Sequence, residues 1–102
     1  MLGAIVGDIV GSVFESRPLR GGWEKFPLFS AKSHFTDDTV MALAVADALR
    51  SGYGRDGLHD RIIDAMHSFG NARPDAGDGK RFALWLGERR RDPYYSYGNG
   101  AA

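Results

Sequence analysis

The chain has 102 residues, 43% of them hydrophobic and 25% charged, which bounds it to one small globular domain or part of one. Thirteen basic residues balance thirteen acidic ones, so the basic surplus that carries nucleic-acid binding is missing. There is no cysteine, which excludes disulfides, thiolate chemistry and cysteine zinc sites.

Residues 2–15 read as the first helix. Leu2, Ile5, Val6, Ile9, Val10, Val13 and Phe14 recur at helical spacing. A strand over residues 4–10 is the lesser alternative. No basic residue precedes the apolar run, so it does not read as a signal peptide. It is also shorter than the roughly 20 apolar residues of a membrane span, and Asp8 interrupts it. A buried, central helix of a cytoplasmic protein is expected. Gly3, Gly7 and Gly11 lie four apart and form a stripe without side chains. Glycine costs about 1 kcal/mol against alanine inside a helix, so the stripe calls for close approach of another helix or of a ligand.

Residues 16–35 are a long connection with Pro18, Gly21, Gly22 and Pro27 among Trp23, Phe26, Phe29 and Phe35. A loop of this length is often a lid or binding loop, and equally its aromatics can simply pin it to the core. Residues 39–50 read as a second helix, apolar around most of its circumference, with Gly52 suited to a left-handed cap. Residues 58–69 form a third, with Leu58, Ile62, Ala65, Met66 and Phe69 on one face, Asp56 as cap and Gly70 as stop. His59 and His67 on it read as solvated or capping residues. Residues 80–90 form a fourth, with Phe82, Trp85 and Leu86 inward and Arg89, Arg90 and Arg91 suiting its C-terminal dipole, broken by Asp92-Pro93. The tail, residues 94–102, is aromatic and glycine-rich. Four short helices cannot easily surround two nearly all-apolar ones. The chain is therefore expected to belong to a larger helical protein or to oligomerise.

Three constellations carry chemistry. Thr36-Asp37-Asp38-Thr39 is either an N-cap with acidic residues at the favourable end of the helix dipole, or a cluster of oxygen ligands for Mg²⁺, Mn²⁺ or Ca²⁺. As a metal site it needs further ligands from water or elsewhere in the chain. Asp8 and Glu15 are two helical turns apart, on one face and about 10 Å from each other along the axis. Glu15 is either the exposed helix end or part of a site, and Asp8 reads best as a buried structural hydrogen-bonder. Ser96-Tyr97-Gly98-Asn99-Gly100 is either a tight turn or a loop offering backbone N–H groups to an anion such as a diphosphate. His34 lies two positions before Thr36 and carries no assignment.

Together and in this order, MLGAIVGDIVGSVFE, FTDDTVMALAVADAL and YYSYGNGAA resemble the ADP-ribosylglycohydrolase family. That family includes dinitrogenase reductase-activating glycohydrolases, ADP-ribosyl-arginine and ADP-ribosyl-serine hydrolases, and J1 crystallins. The resemblance covers nearly the whole chain. It implies an all-α fold with a binuclear Mg²⁺ or Mn²⁺ centre at the base of an ADP-ribose cleft. It implies Thr36, Asp37 and Asp38 as metal ligands, Glu15 as the glutamate at the end of the first helix that in some members approaches a metal or acts as acid/base, and Ser96, Tyr97, Gly98, Asn99 and Gly100 as the loop holding ADP-ribose. Tyr94 and Tyr95 occupy variable positions, and Asp8 a supporting one.

The implied activity is hydrolysis of the glycosidic bond between ADP-ribose and an acceptor, on an ADP-ribosylated protein or a small ADP-ribose conjugate. The family's later Asp-x-Asp-Ser/Thr motif, which completes its metal site, has no counterpart here. Residues 1–102 are accordingly expected to be one partial domain, the N-terminal portion of that fold, with the remaining ligands needed in cis or in trans. A non-catalytic relative, crystallin-like or ADP-ribose-binding, is the alternative.

Overall fold

The computed structural model describes residues 1–15, 21, 27–52 and 54–96. Among them the protein is all-α, with four helices and no strand. Helix α1 spans Leu2–Gly11 and continues as a 3₁₀ turn over Ser12–Phe14. Helix α2 spans Asp37–Arg50, α3 Leu58–Ala72 and α4 Lys80–Gly87.

The core is small and has two parts. On α2, Val40, Ala44 and Ala48 are buried at four-residue spacing, a seam of small side chains that lets α3 lie close. Between α3 and α4, Ile63, Trp85 and Leu86 form a second cluster, flanked by Met66, Phe82 and Tyr94. The rings of Phe82 and Trp85 stack 5.8 Å apart, and the Trp85 indole N–H donates to the Asp92 carbonyl at 2.9 Å. The inward set expected for the fourth helix is therefore correct.

Several boundaries differ from the sequence expectation. Helix α2 begins two residues earlier, at Asp37, because Thr36 is its cap: Thr36 is extended (φ −117°, ψ −171°) and its hydroxyl accepts from the Asp38 N–H. That helix ends at Ser51 in right-handed geometry, and Gly52 is not left-handed. Gly52 instead lies under Arg61, since a Cβ there would meet Arg61 Cζ at 2.8 Å. The Arg61 guanidinium donates to the carbonyls of Gly54 and Asp56, filling the α2–α3 connection. Asp56 thus supplies a carbonyl, and left-handed Gly57 (φ 69°) is the N-cap of α3.

Helix α3 runs through Gly70 to Ala72. Gly70 is no stop: it is buried against Leu86, whose Cδ1 lies 2.6 Å from where a Cβ would be. The buried residues of α3 are Ile63 and Gly70 rather than the expected face, which is half-buried, because α3 packs against both α2 and α4. His59 is exposed as expected, but His67 stacks on Trp85 at 4.3 Å and bonds the Arg90 carbonyl at 2.7 Å. Helix α4 stops at Gly87, before Asp92-Pro93. Arg89 turns left-handed (φ 53°), with Arg89 N–H donating to Leu86 O and Arg90 N–H to Trp85 O. Arg91 leaves the helix end to bridge Asp60 and Asp64 on α3.

The largest departure concerns α1. It has no buried residue, and Leu2 and Val6 are 81% and 44% exposed. No described element encloses it, so the expected central position is not seen. Among the described residues, nothing lies within 4 Å of a Cβ built on Gly3, Gly7 or Gly11, so no described helix packs against the stripe. Among the described residues, no helix is long and apolar enough to cross a membrane.

Candidate functional site

The N-terminal turn of α2 is fixed from three sides. Its first amides lack intrahelical partners and must find them elsewhere. The Asp37 N–H donates to the Ala76 carbonyl at 2.9 Å, which brings the α3–α4 loop against the turn. The Asp38 N–H donates to Thr36 Oγ1 at 3.3 Å. The third support is Asp8 on α1. Its Oδ1 accepts from the Thr36 hydroxyl at 2.6 Å, and its Oδ2 accepts from the Thr36 N–H at 2.8 Å and the Thr39 hydroxyl at 2.5 Å. Thr36 and Thr39 are buried, at 3% and 7% exposure. The Ser12 hydroxyl extends the seam by donating to Ile9 O and accepting from the His34 N–H at 3.2 Å. His34 reaches the site through its backbone only, as its Nδ1 bonds Lys32 O.

Beside this seam lies an open hollow of about 490 Å³ lined by Ala4, Gly7, Asp8, Gly11, Glu15 and Asp38. The size is that of a small-ligand site. Gly7 and Gly11 of the glycine stripe form the bare wall of this hollow. Side chains there would fill the space between Asp8, Glu15 and Asp38.

The electrostatics are acidic. Burial pushes the Asp37 carboxyl above its ordinary range, and the nearby Asp38 and Asp8 carboxylates push it further. Asp78, on the α3–α4 loop, is also raised, by burial and then by Asp37. Tyr94 is raised by burial and by Asp78 and Asp37. Asp8 behaves in the opposite way: burial raises it, but the hydrogen bonds from Thr36 and Thr39 together outweigh burial and hold it below the usual range. The charges acting on Asp37 are thus carboxylates, and the available ligands are oxygens. That chemistry fits a hard divalent cation. Among the described residues no three acidic or imidazole side chains converge closely enough to hold a metal by themselves. Oxygens from outside this group are needed to complete a coordination shell.

The expected site residues divide accordingly. Asp38 and Glu15 line the hollow together, Asp37 lies in the acidic group beside it, and Thr36 caps the helix that carries both aspartates. Ser96 is exposed, and Tyr97, Gly98, Asn99 and Gly100 lie outside the described residues. Asp8 is the structural hydrogen-bonder that its position predicted. Asp78 and Tyr94 were not anticipated. The one local hint of Asp78 is its setting between Gly77 (φ 105°) and Gly79, and Gly77 faces Asp37 Oδ1 at 3.7 Å from its virtual Cβ.

No curated protein and no solved structure matches the chain. The sequence model of the ADP-ribosylglycohydrolase family does match, over residues 1–102. That match spans the glycine-striped helix, the capped aspartate pair and the tail in one alignment. On this full-length correspondence, the chain belongs to the ADP-ribosylglycohydrolase family.

Proposed function

We propose that the chain supplies the Asp37/Asp38 side of a divalent-metal site for hydrolysis of ADP-ribosyl conjugates. The observation that carries this reading is the hollow that Glu15 and Asp38 line together with Gly7 and Gly11, with Asp37 in the carboxylate group beside it. Thr36, Asp37 and Asp38 are the candidate metal-binding residues, for Mg²⁺ or Mn²⁺. The remaining ligands come from a segment in cis or in trans. A cation held there would supply a template and Lewis acid for the ribose hydroxyls and a water.

In hydrolysis the oxygen of water bonds the ribose anomeric carbon as the bond from that carbon to the acceptor nitrogen or oxygen breaks. Glu15, exposed on the wall of the hollow, is the residue proposed to take the proton of that water. The leaving acceptor gains a proton in turn. The loop from Ser96 to Gly100 is the proposed holder of the ADP-ribose, by its backbone N–H groups. The substrate class is an ADP-ribosylated protein or a small ADP-ribose conjugate, and the proposed setting is the cytoplasm.

One observation favours a second reading, binding without turnover. The described carboxylates alone do not form a closed metal site. Isothermal titration with Mg²⁺ and then ADP-ribose tests both. Binding of ADP-ribose that strengthens with Mg²⁺ and is lost in Asp37→Ala and Asp38→Ala supports the site. Binding of neither makes the chain a helical module whose aspartates are only caps. Release of free ADP-ribose from ADP-ribosylated arginine or serine peptides separates hydrolysis from binding.

A further inference from the structure

We propose that Asp8 is a positioning residue of this site, setting the geometry between Glu15 and the Asp37/Asp38 pair without itself ligating the cation; this rests on the metal-site reading above. Three donors converge on its carboxylate, and all three come from the capping turn of α2: the Thr36 N–H, the Thr36 hydroxyl and the Thr39 hydroxyl. A carboxylate offers about four lone-pair positions, so most of its capacity is already used. Both hydroxyls belong to buried residues, where unmade hydrogen bonds are costly.

Asp8 also occupies a particular place on α1. Glu15 follows the same helix at its end, so whatever ties Asp8 to α2 also fixes where Glu15 lies relative to Asp37 and Asp38. The Asp8 bonds span 28 and 31 residues of sequence. Together with the Ser12 hydroxyl bond to His34, they tie the α1 segment to the start of α2. The Ala76 carbonyl holds the turn from the other side, through the Asp37 N–H. Without Asp8 the turn stays attached to the α3–α4 loop but loses its register against α1.

The requirement is for hydrogen-bond acceptance at defined points rather than for charge toward the cation. Asparagine can meet most of it. Its Oδ1 can accept from the Thr36 N–H and the Thr39 hydroxyl, and its Nδ2 can donate to Thr36 Oγ1. Alanine can meet none of it. A direct ligand behaves differently, because an amide substitutes poorly for a carboxylate on a hard cation.

The test is Mn²⁺-induced broadening of amide signals in the ¹⁵N-labelled chain, which detects weak sites, with the Trp85 indole N–H as a distant reporter of folding. In the wild type, Glu15, Asp37 and Asp38 are expected to broaden together. Asp8→Ala should need about tenfold more Mn²⁺ and should broaden Glu15 out of step with the pair, while Asp8→Asn stays within about threefold of wild type. Equal affinities for Asp8→Ala and wild type overturn the proposal, as does an Asp8→Asn loss as large as that of Asp8→Ala. If Asp8→Ala unfolds, seen as loss of the Trp85 signal, Thr39→Val decides: weaker Mn²⁺ response supports the proposal and an unchanged one overturns it. Absence of any broadening in the wild type is a separate outcome, which removes the metal-site reading and this proposal with it.

Discussion

Asp37 is the residue at which stability and the proposed function oppose each other. Its carboxyl is raised by burial and by Asp38 and Asp8, so folding favours its protonated form. A raised carboxylate costs stability once ionised, and the metal-free chain should lose stability as pH rises through the Asp37 titration. Asp37→Asn is therefore expected to raise the thermal midpoint of the metal-free chain while abolishing its stabilisation by Mg²⁺, both read by thermal melts with and without the cation. Equal or lower stability of the variant argues against the repulsion described. The aspartate pair and Asp8 were legible because their neighbours in sequence, Thr36, Thr39 and the glycines, already implied a cap and a bare helix face. Asp78 and Tyr94 were not legible. Asp78 comes near Asp37 because the Ala76 carbonyl brings the α3–α4 loop back to the turn, and Tyr94 because the tail after α4 packs on Phe82 and Trp85; both are tertiary contacts without local signature.

At the scale of elements, all four helices were readable from apolar spacing, while their ends, the buried face of α3 and the exposure of α1 were not. Glycine misled twice: Gly52 and Gly70 are selected by the bulk of Arg61 and Leu86 above them, not by backbone conformation. The real left-handed stop of α4 is Arg89, a residue type that gives no such signal. A non-glycine residue in that conformation costs roughly 1–2 kcal/mol, so Arg89→Gly is expected to stabilise the chain by about 1 kcal/mol in chemical denaturation. Gly3→Ala in α1, with nothing near its Cβ and ordinary helical φ, is expected to add about 0.5–1 kcal/mol by the same measurement. The α3–tail clamp has a pH signature. Hydrogen bonding and charge from Arg91 lower the Asp60 carboxyl. A lowered carboxylate contributes fully above its unfolded pKa, about 4, and the contribution disappears as pH falls through the folded value. Arg91→Ala should flatten this acid-side part of the stability profile.

The whole molecule is open for its length. Its radius of gyration is 15.3 Å, against about 13 Å for a compact domain of 100 residues. Leu2, Val6, Leu43, Val45 and Leu49 are among its exposed large hydrophobics. Apolar surface of this kind binds hydrophobic dyes and promotes association. The chain in isolation is expected to enhance ANS fluorescence and to self-associate with rising concentration in sedimentation velocity. The apolar α1 and α2 carry more surface than two short amphipathic partners can cover, which pointed to a larger protein or an oligomer, although the sequence placed α1 in a buried, central position that is not seen. If the Asp37/Asp38 turn is a cation site rather than a helix cap alone, free Mn²⁺ must fall as the chain is titrated, which electron paramagnetic resonance counts. A saturable site that disappears in Asp37→Ala and in Asp38→Ala, with helicity retained, is the predicted result. Equal Mn²⁺ uptake by wild type and both variants, or none by any of them, would contradict it.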